Sequence, residues 1–124
     1  SDGRTLYECM GDMAEKWGED SIGKYGYSRV GAVVGATHPE EARVLRSRLP
    51  HTFFLIPGYG AQGGNADTVR ACFAEGGMGG IVNNSRGIIC AYQKRGGTFF
   101  EAAREAVLEM KADLRSVLGE ICAK

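Results

Sequence analysis

Short continuous apolar runs alternate along this chain with apolar stripes at helical spacing, and the alternation repeats three times. It begins on a stripe. Thr5 and Glu8 form a capping box, in which each side chain satisfies a backbone amide of the first helical turn. Leu6, Met10, Met13 and Trp17 follow at helical spacing, which predicts a helix ending near Gly18 with this stripe in the core. Residues 19–29 read as a loop carrying glycine and tyrosine. Residues 30–35, VGAVVG, are a run of strand length with the pattern of a strand buried on both faces. A second capping box, Thr37 and Glu40, has Pro39 in its first turn and opens a helix to about Leu49. That helix buries Ala42, Leu45 and Leu49, and Pro50 closes it.

The second strand is predicted at residues 53–56. Asn65 is the N-cap of a helix through residue 75, with Val69, Cys72 and Phe73 on its inner face. Residues 79–83 are the third strand, residues 87–92 one short helical turn, and residues 94–97 a break. A third capping box, Thr98 and Glu101, opens the longest helix. Its buried side carries Ala103, Ala106, Val107, Met110, Leu114, Val117 and Ile121.

Strand starts near residues 30, 53 and 79 give a period of about 25 residues, the size of a βα unit in a parallel sheet. Eight such units need about 200 residues, the lower end of a (β/α)8 barrel. Three units and a leading helix without its own strand therefore predict an α/β fold that is part of such a barrel. Residues 1–124 would form a single partial domain. The strands near Val30 and Gly79 would be its two edges, and both lack the lysines, prolines and inward charges that blunt a natural edge.

Composition narrows the function. The 124 residues carry 15 basic and 15 acidic side chains for a net charge of zero, so no basic face recommends a nucleic-acid or membrane partner. There is no apolar run of membrane-spanning length and no signal-peptide pattern at the start. Cys9, Cys72, Cys90 and Cys122 are scattered singly, without metal-ligand spacing. They predict reduced thiols, no metal site and a cytoplasmic location. His38 and His51 sit beside prolines as surface residues, and Lys24 has no acidic partner at useful spacing.

Candidate chemistry concentrates in residues 53–92, where two predicted strands each end in a glycine-rich turn. The first turn presents Pro57, Gly58 and Gln62; the second presents Ser85, Arg86 and Gly87. Backbone amides at a helix start and a guanidinium fork are what a phosphate monoester requires. In (β/α)8 barrels such a pocket lies after strands 7 and 8. Gly58, Gly60 and Gly63 also match the GxGxxG dinucleotide fingerprint. That reading needs an acidic residue at the end of the next strand, and the sequence there is Val82-Asn-Asn-Ser85.

The segments GAVVGATHPEE (31–41), LIPGYGAQGG (55–64) and GGIVNNSRGIICAY (79–92) together resemble the C-terminal part of the orotidine 5′-monophosphate decarboxylase family. The likeness is to its bacterial subgroup with P-G-x-G-A-Q-G-G and N-S-R-G-I motifs. The resemblance implies the C-terminal portion of a (β/α)8 barrel, usually a homodimer. It also implies conversion of orotidine monophosphate to uridine monophosphate in pyrimidine synthesis, without metal or cofactor. It makes Gln62, Ser85, Arg86 and Gly87 phosphate-binding residues, and Pro57, Gly58, Tyr59 and Gly60 parts of a base pocket and of a lid over residues 58–65.

The family's catalytic D-x-K-x-x-D array is absent from this chain, so no catalytic residue is expected in it. Met110-Lys-Ala-Asp113 is the nearest approach. The missing half would be a partner, unless the chain instead belongs to a sugar-phosphate enzyme or a non-catalytic phosphate-binding module.

Overall fold

A computed structural model of the chain describes residues 3–60 and 62–119. It contains one parallel sheet of strands β1 (Gly31–Val33), β2 (Phe53–Ile56) and β3 (Gly80–Val82), in that spatial order. The register pairs Val33 with Leu55 and Leu55 with Ile81. Hydrogen bonds continue past the strands: Ala36 N donates to Pro57 O at 2.9 Å and Asn83 N to Ile56 O at 3.0 Å. The helices are α1 (Leu6–Gly18), α2 (Pro39–Arg48), α3 (Ala66–Arg70), α4 (Ser85–Ile89), α5 (Tyr92–Arg95) and α6 (Phe99–Leu118). Three βα units after a leading helix are thus present, in the arrangement of part of a (β/α)8 barrel.

Side chains alternate across β2, and the two faces have opposite fates. Phe54 and Ile56 are fully buried among Val34, Ala36, Ala42, Leu49, Val69 and Cys72. A fully buried side chain of this size contributes about 1.5–3 kcal/mol. On the other face Val33, Leu55 and Ile81 lie side by side and exposed, Val33 at 70%. Burial on both faces, expected from the continuous apolar runs, is therefore not found here, because no second layer among the described residues covers that face.

The stripe of α1 is corrected in the same way. Leu6, Met10, Met13 and Trp17 are exposed, and Leu6, Met10 and Trp17 border a groove of about 620 Å³ beside β1. The helix seats instead on the face carrying Gly11, Glu15 and Gly18. A Cβ at Gly11 would come within 3.0 Å of Leu45 and Leu49, so glycine lets α1 approach α2 closely. Arg48 of α2 pairs with Asp12, and the Glu15 carboxylate accepts from the His51 backbone N–H at 3.0 Å and the Thr52 hydroxyl. His51 Nδ1 lies 2.7 Å from the same carboxylate. Glu15 thereby clamps the turn that enters β2.

Of the three capping boxes the first forms, with Glu8 accepting from the Thr5 backbone N–H at 2.7 Å, whereas at the third the Thr98 hydroxyl meets the Glu101 carboxylate and the Thr98 side chain caps no backbone amide. The second does not form. His38 takes the N-cap position, Thr37 bonds the His38 ring, and Glu40 pairs with Arg43. Helix α3 stops at Arg70 rather than residue 75, and a separate turn, Glu75–Gly77, holds Gly76 at φ 74°. The helical turn expected at 87–92 is two pieces, α4 and α5, with the break confined to Gly96 and Gly97.

On α6, Ala102 and Ala106 are buried against Ala91. Val107, expected inside, is exposed and borders a groove of about 460 Å³ along β3. Cys9, Cys72 and Cys90 are free thiols; Cys122 and Ile121 lie outside the described residues. Among the described residues no helix is long and apolar enough to cross a membrane, and no cluster of three potential metal ligands occurs.

Candidate functional site

Parallel pairing sets the C-terminal ends of β2 and β3 side by side, so the loops that leave them share a pocket of about 100 Å³. Pro57, Gly58, Tyr59 and Gln62 line it from the first loop, and Asn83, Asn84, Ser85 and Arg86 from the second. Six of the eight residues expected from the sequence are brought together. Gly60 and Gly87 stand behind the lining and shape the loops.

The first loop is held by its own backbone: Gly60 N donates to Gly64 O at 2.7 Å and Gly64 N to Gly58 O at 3.0 Å. A side chain at Gly64 would sit 2.6 Å from the Gly58 carbonyl, so the fold-back requires glycine there. Gly58 turns at φ 107° beneath the Gln62 amide, whose oxygen lies 3.5 Å from where a Gly58 Cβ would be. The second loop is set by Asn84, which caps α4 by accepting from Gly87 N at 3.2 Å. A Cβ on Gly87 would fall 2.3 Å from the Asn84 side-chain oxygen, so the cap depends on glycine at 87. Asn83 and Asn84 were not singled out in the sequence. The spacing of Asn84 three residues before Gly87 was the available signal.

Arg86 is the one charged side chain among the lining residues. It is exposed, and among the described residues no carboxylate pairs with it. The Ser85 hydroxyl donates to Asn83 Oδ1 at 3.1 Å. Amide and hydroxyl groups around a lone guanidinium, with no acid, suit an anion and supply no general base. Tyr59 is tied outward: its hydroxyl donates to Asp113 Oδ2 on α6 at 2.5 Å. Burial, and then that carboxylate, push the phenol up to about 12. Lys24 stands apart and exposed, its Nζ 4.8 Å from the Tyr25 ring centre.

The chain is 47% identical over 120 residues to the orotidine 5′-phosphate decarboxylase of Clostridium tetani, an alignment that takes in 95% of this chain. The chain is a homologue of the C-terminal part of that decarboxylase. It spans about 41% of the length of the curated relatives it matches. The UMP synthase structure of Leishmania donovani matches 93% of this chain and 23% of its own, at 35% identity and a TM-score of 0.64. A crystal structure from Toxoplasma gondii assigned to orotidine-monophosphate decarboxylase matches 96% of this chain and 45% of its own. Its TM-score is 0.70 and its identity 23%, which shows the shared fold. No family model matches the chain.

Proposed function

We propose that this chain is the phosphate-holding portion of an orotidine 5′-phosphate decarboxylase, the enzyme that converts orotidine monophosphate to uridine monophosphate and carbon dioxide. The observation that carries the reading is that Gln62 lines one pocket with Arg86, which has no carboxylate partner among the described residues, across two adjacent strand ends. Support comes from 47% identity to a decarboxylase over nearly the whole chain.

In this reading the Arg86 guanidinium and the amides near Ser85 hold the phosphate oxygens. Gln62 reaches over the nucleotide from the first loop, and Pro57 lines the base pocket. Grip on a phosphate remote from the reacting carbon contributes transition-state stabilisation and holds the 58–65 loop closed. The proton delivered as carbon dioxide leaves comes from an acid–lysine–acid array outside these 124 residues, since no D-x-K-x-x-D occurs here. The segment carrying that array also supplies the strands that cover the exposed face and both edges of the sheet. The complete enzyme is a cytoplasmic homodimer in the same reading.

Titration with uridine monophosphate tests it. A charge-assisted contact contributes roughly 1.5–3 kcal/mol, so Arg86→Ala in the complete barrel weakens binding about 10- to 150-fold. Unchanged affinity removes Arg86 from the site and the phosphate assignment with it.

A further inference from the structure

Helix α6 carries a line of polar contacts to the elements around the pocket. Arg95 of α5 pairs with Glu109, Asn84 Nδ2 lies 3.8 Å from Met110 Sδ, and Tyr59 donates to Asp113. Arg70, at the end of α3, donates from Nε to the Val117 carbonyl at 3.0 Å. Positions 109, 113 and 117 are four apart and share one stripe of the helix. Two of these contacts end on pocket-lining residues, Tyr59 from the first loop and Asn84 from the second.

Tyr59 is flanked by Gly58 at φ 107° and Gly60 at φ 76°, so neither neighbour has a side chain with which to fix the loop. The phenol supplies that anchor. It packs against the edge of the main core and ends on an ionised acceptor, the stronger class of hydrogen bond. Asp113 is not among the residues that line the pocket.

We propose that Asp113 is a positioning residue for the anion pocket: it holds Tyr59, and through Tyr59 the first loop, so that Gln62 and Arg86 line one cavity. The substrate terms of this assignment rest on the phosphate reading above. The Met110-Lys-Ala-Asp113 string, which lacks the first acid of the family's catalytic motif, thus has a role of its own. Asp113 serves binding from outside the pocket.

The experiment compares Tyr59→Phe, Asp113→Ala, Asp113→Asn and Arg86→Ala in the complete polypeptide. Each is assayed with orotidine monophosphate and with orotidine, which lacks the phosphate, alongside thermal unfolding. The Tyr59–Asp113 contact is partly solvent-exposed, so Tyr59→Phe and Asp113→Ala each raise KM for the nucleotide by about 3- to 10-fold. Asp113→Ala, at a residue outside the pocket lining, leaves kcat/KM for orotidine unchanged. Asp113→Asn, which keeps an acceptor oxygen, restores most of the loss, and the Tyr59→Phe/Asp113→Ala double variant is no worse than either single one.

A normal nucleotide KM in Tyr59→Phe, while Arg86→Ala raises it, overturns the positioning role and leaves the phosphate reading standing. Equal losses on both substrates with a lowered melting temperature also overturn it, as a purely structural contact. A normal KM in Arg86→Ala overturns the phosphate reading and this proposal together.

Discussion

Arg46 and Arg86 both sit near an end of the sheet, in opposite settings. Arg46 is buried, with its guanidinium over the Phe54 ring at 4.0 Å. It donates to the carbonyls of Gly79 at 3.1 Å, Thr52 at 2.9 Å and Leu49. Those carbonyls lie where the chain enters β2 and β3, so Arg46 seals the end of the sheet opposite the pocket. Burial pulls its pKa below the ordinary arginine value, and the three acceptors stabilise the guanidinium charge.

Arg46→Met keeps the apolar stem and leaves the Thr52 carbonyl short of a donor, a loss of about 2–3 kcal/mol in stability. Chemical denaturation of the folded assembly measures it; wild-type stability contradicts the seal. Arg86 was legible in the sequence because it follows an apolar strand and stands between Ser85 and Gly87. Arg46 was not legible. Between Arg43 and Arg48 on an amphipathic helix it reads as a solvated residue, and the acceptor that marks it out, Gly79, is 33 positions away.

At the scale of elements, the strand and helix order was readable because each βα unit changes its apolar spacing from continuous to helical. Lost in the reading was the choice of face for α1. The stripe of Leu6, Met10, Met13 and Trp17 carries the larger hydrophobes, yet α1 packs through Gly11 and holds β2 through Glu15. Close helix approach and a buried-edge carboxylate decide the seat, and neither leaves a periodic apolar signal.

The Glu15 clamp has a pH signature. Burial alone would raise this carboxylate, but hydrogen bonds from Thr52 and His51 outweigh it and hold Glu15 below the ordinary range. A folded pKa below the unfolded one means the unfolded chain binds more protons in that window. The stabilisation is therefore complete above the ordinary glutamate range and is lost as pH falls through the folded value. Glu15→Gln flattens the acid limb of the stability profile below the ordinary glutamate range. An unchanged acid limb in Glu15→Gln contradicts the clamp.

For the whole molecule, the fold is left open on apolar surface. Val33, Leu55 and Ile81 present an uncovered apolar row, β1 and β3 are edges, and each edge is flanked by an apolar groove. Both loops that line the pocket between β2 and β3 leave strands paired within this chain. In the proposed function, a protein divided along these lines would keep its grip on the anion in one part and its chemistry in the other.

Release of carbon dioxide from orotidine monophosphate tests that division directly. It is measured on the 124-residue chain alone and on the chain joined to a segment bearing the D-x-K-x-x-D array. The account predicts no release above background from the chain alone and turnover from the joined polypeptide. Release by the chain alone, or none from a folded joined polypeptide, would contradict it.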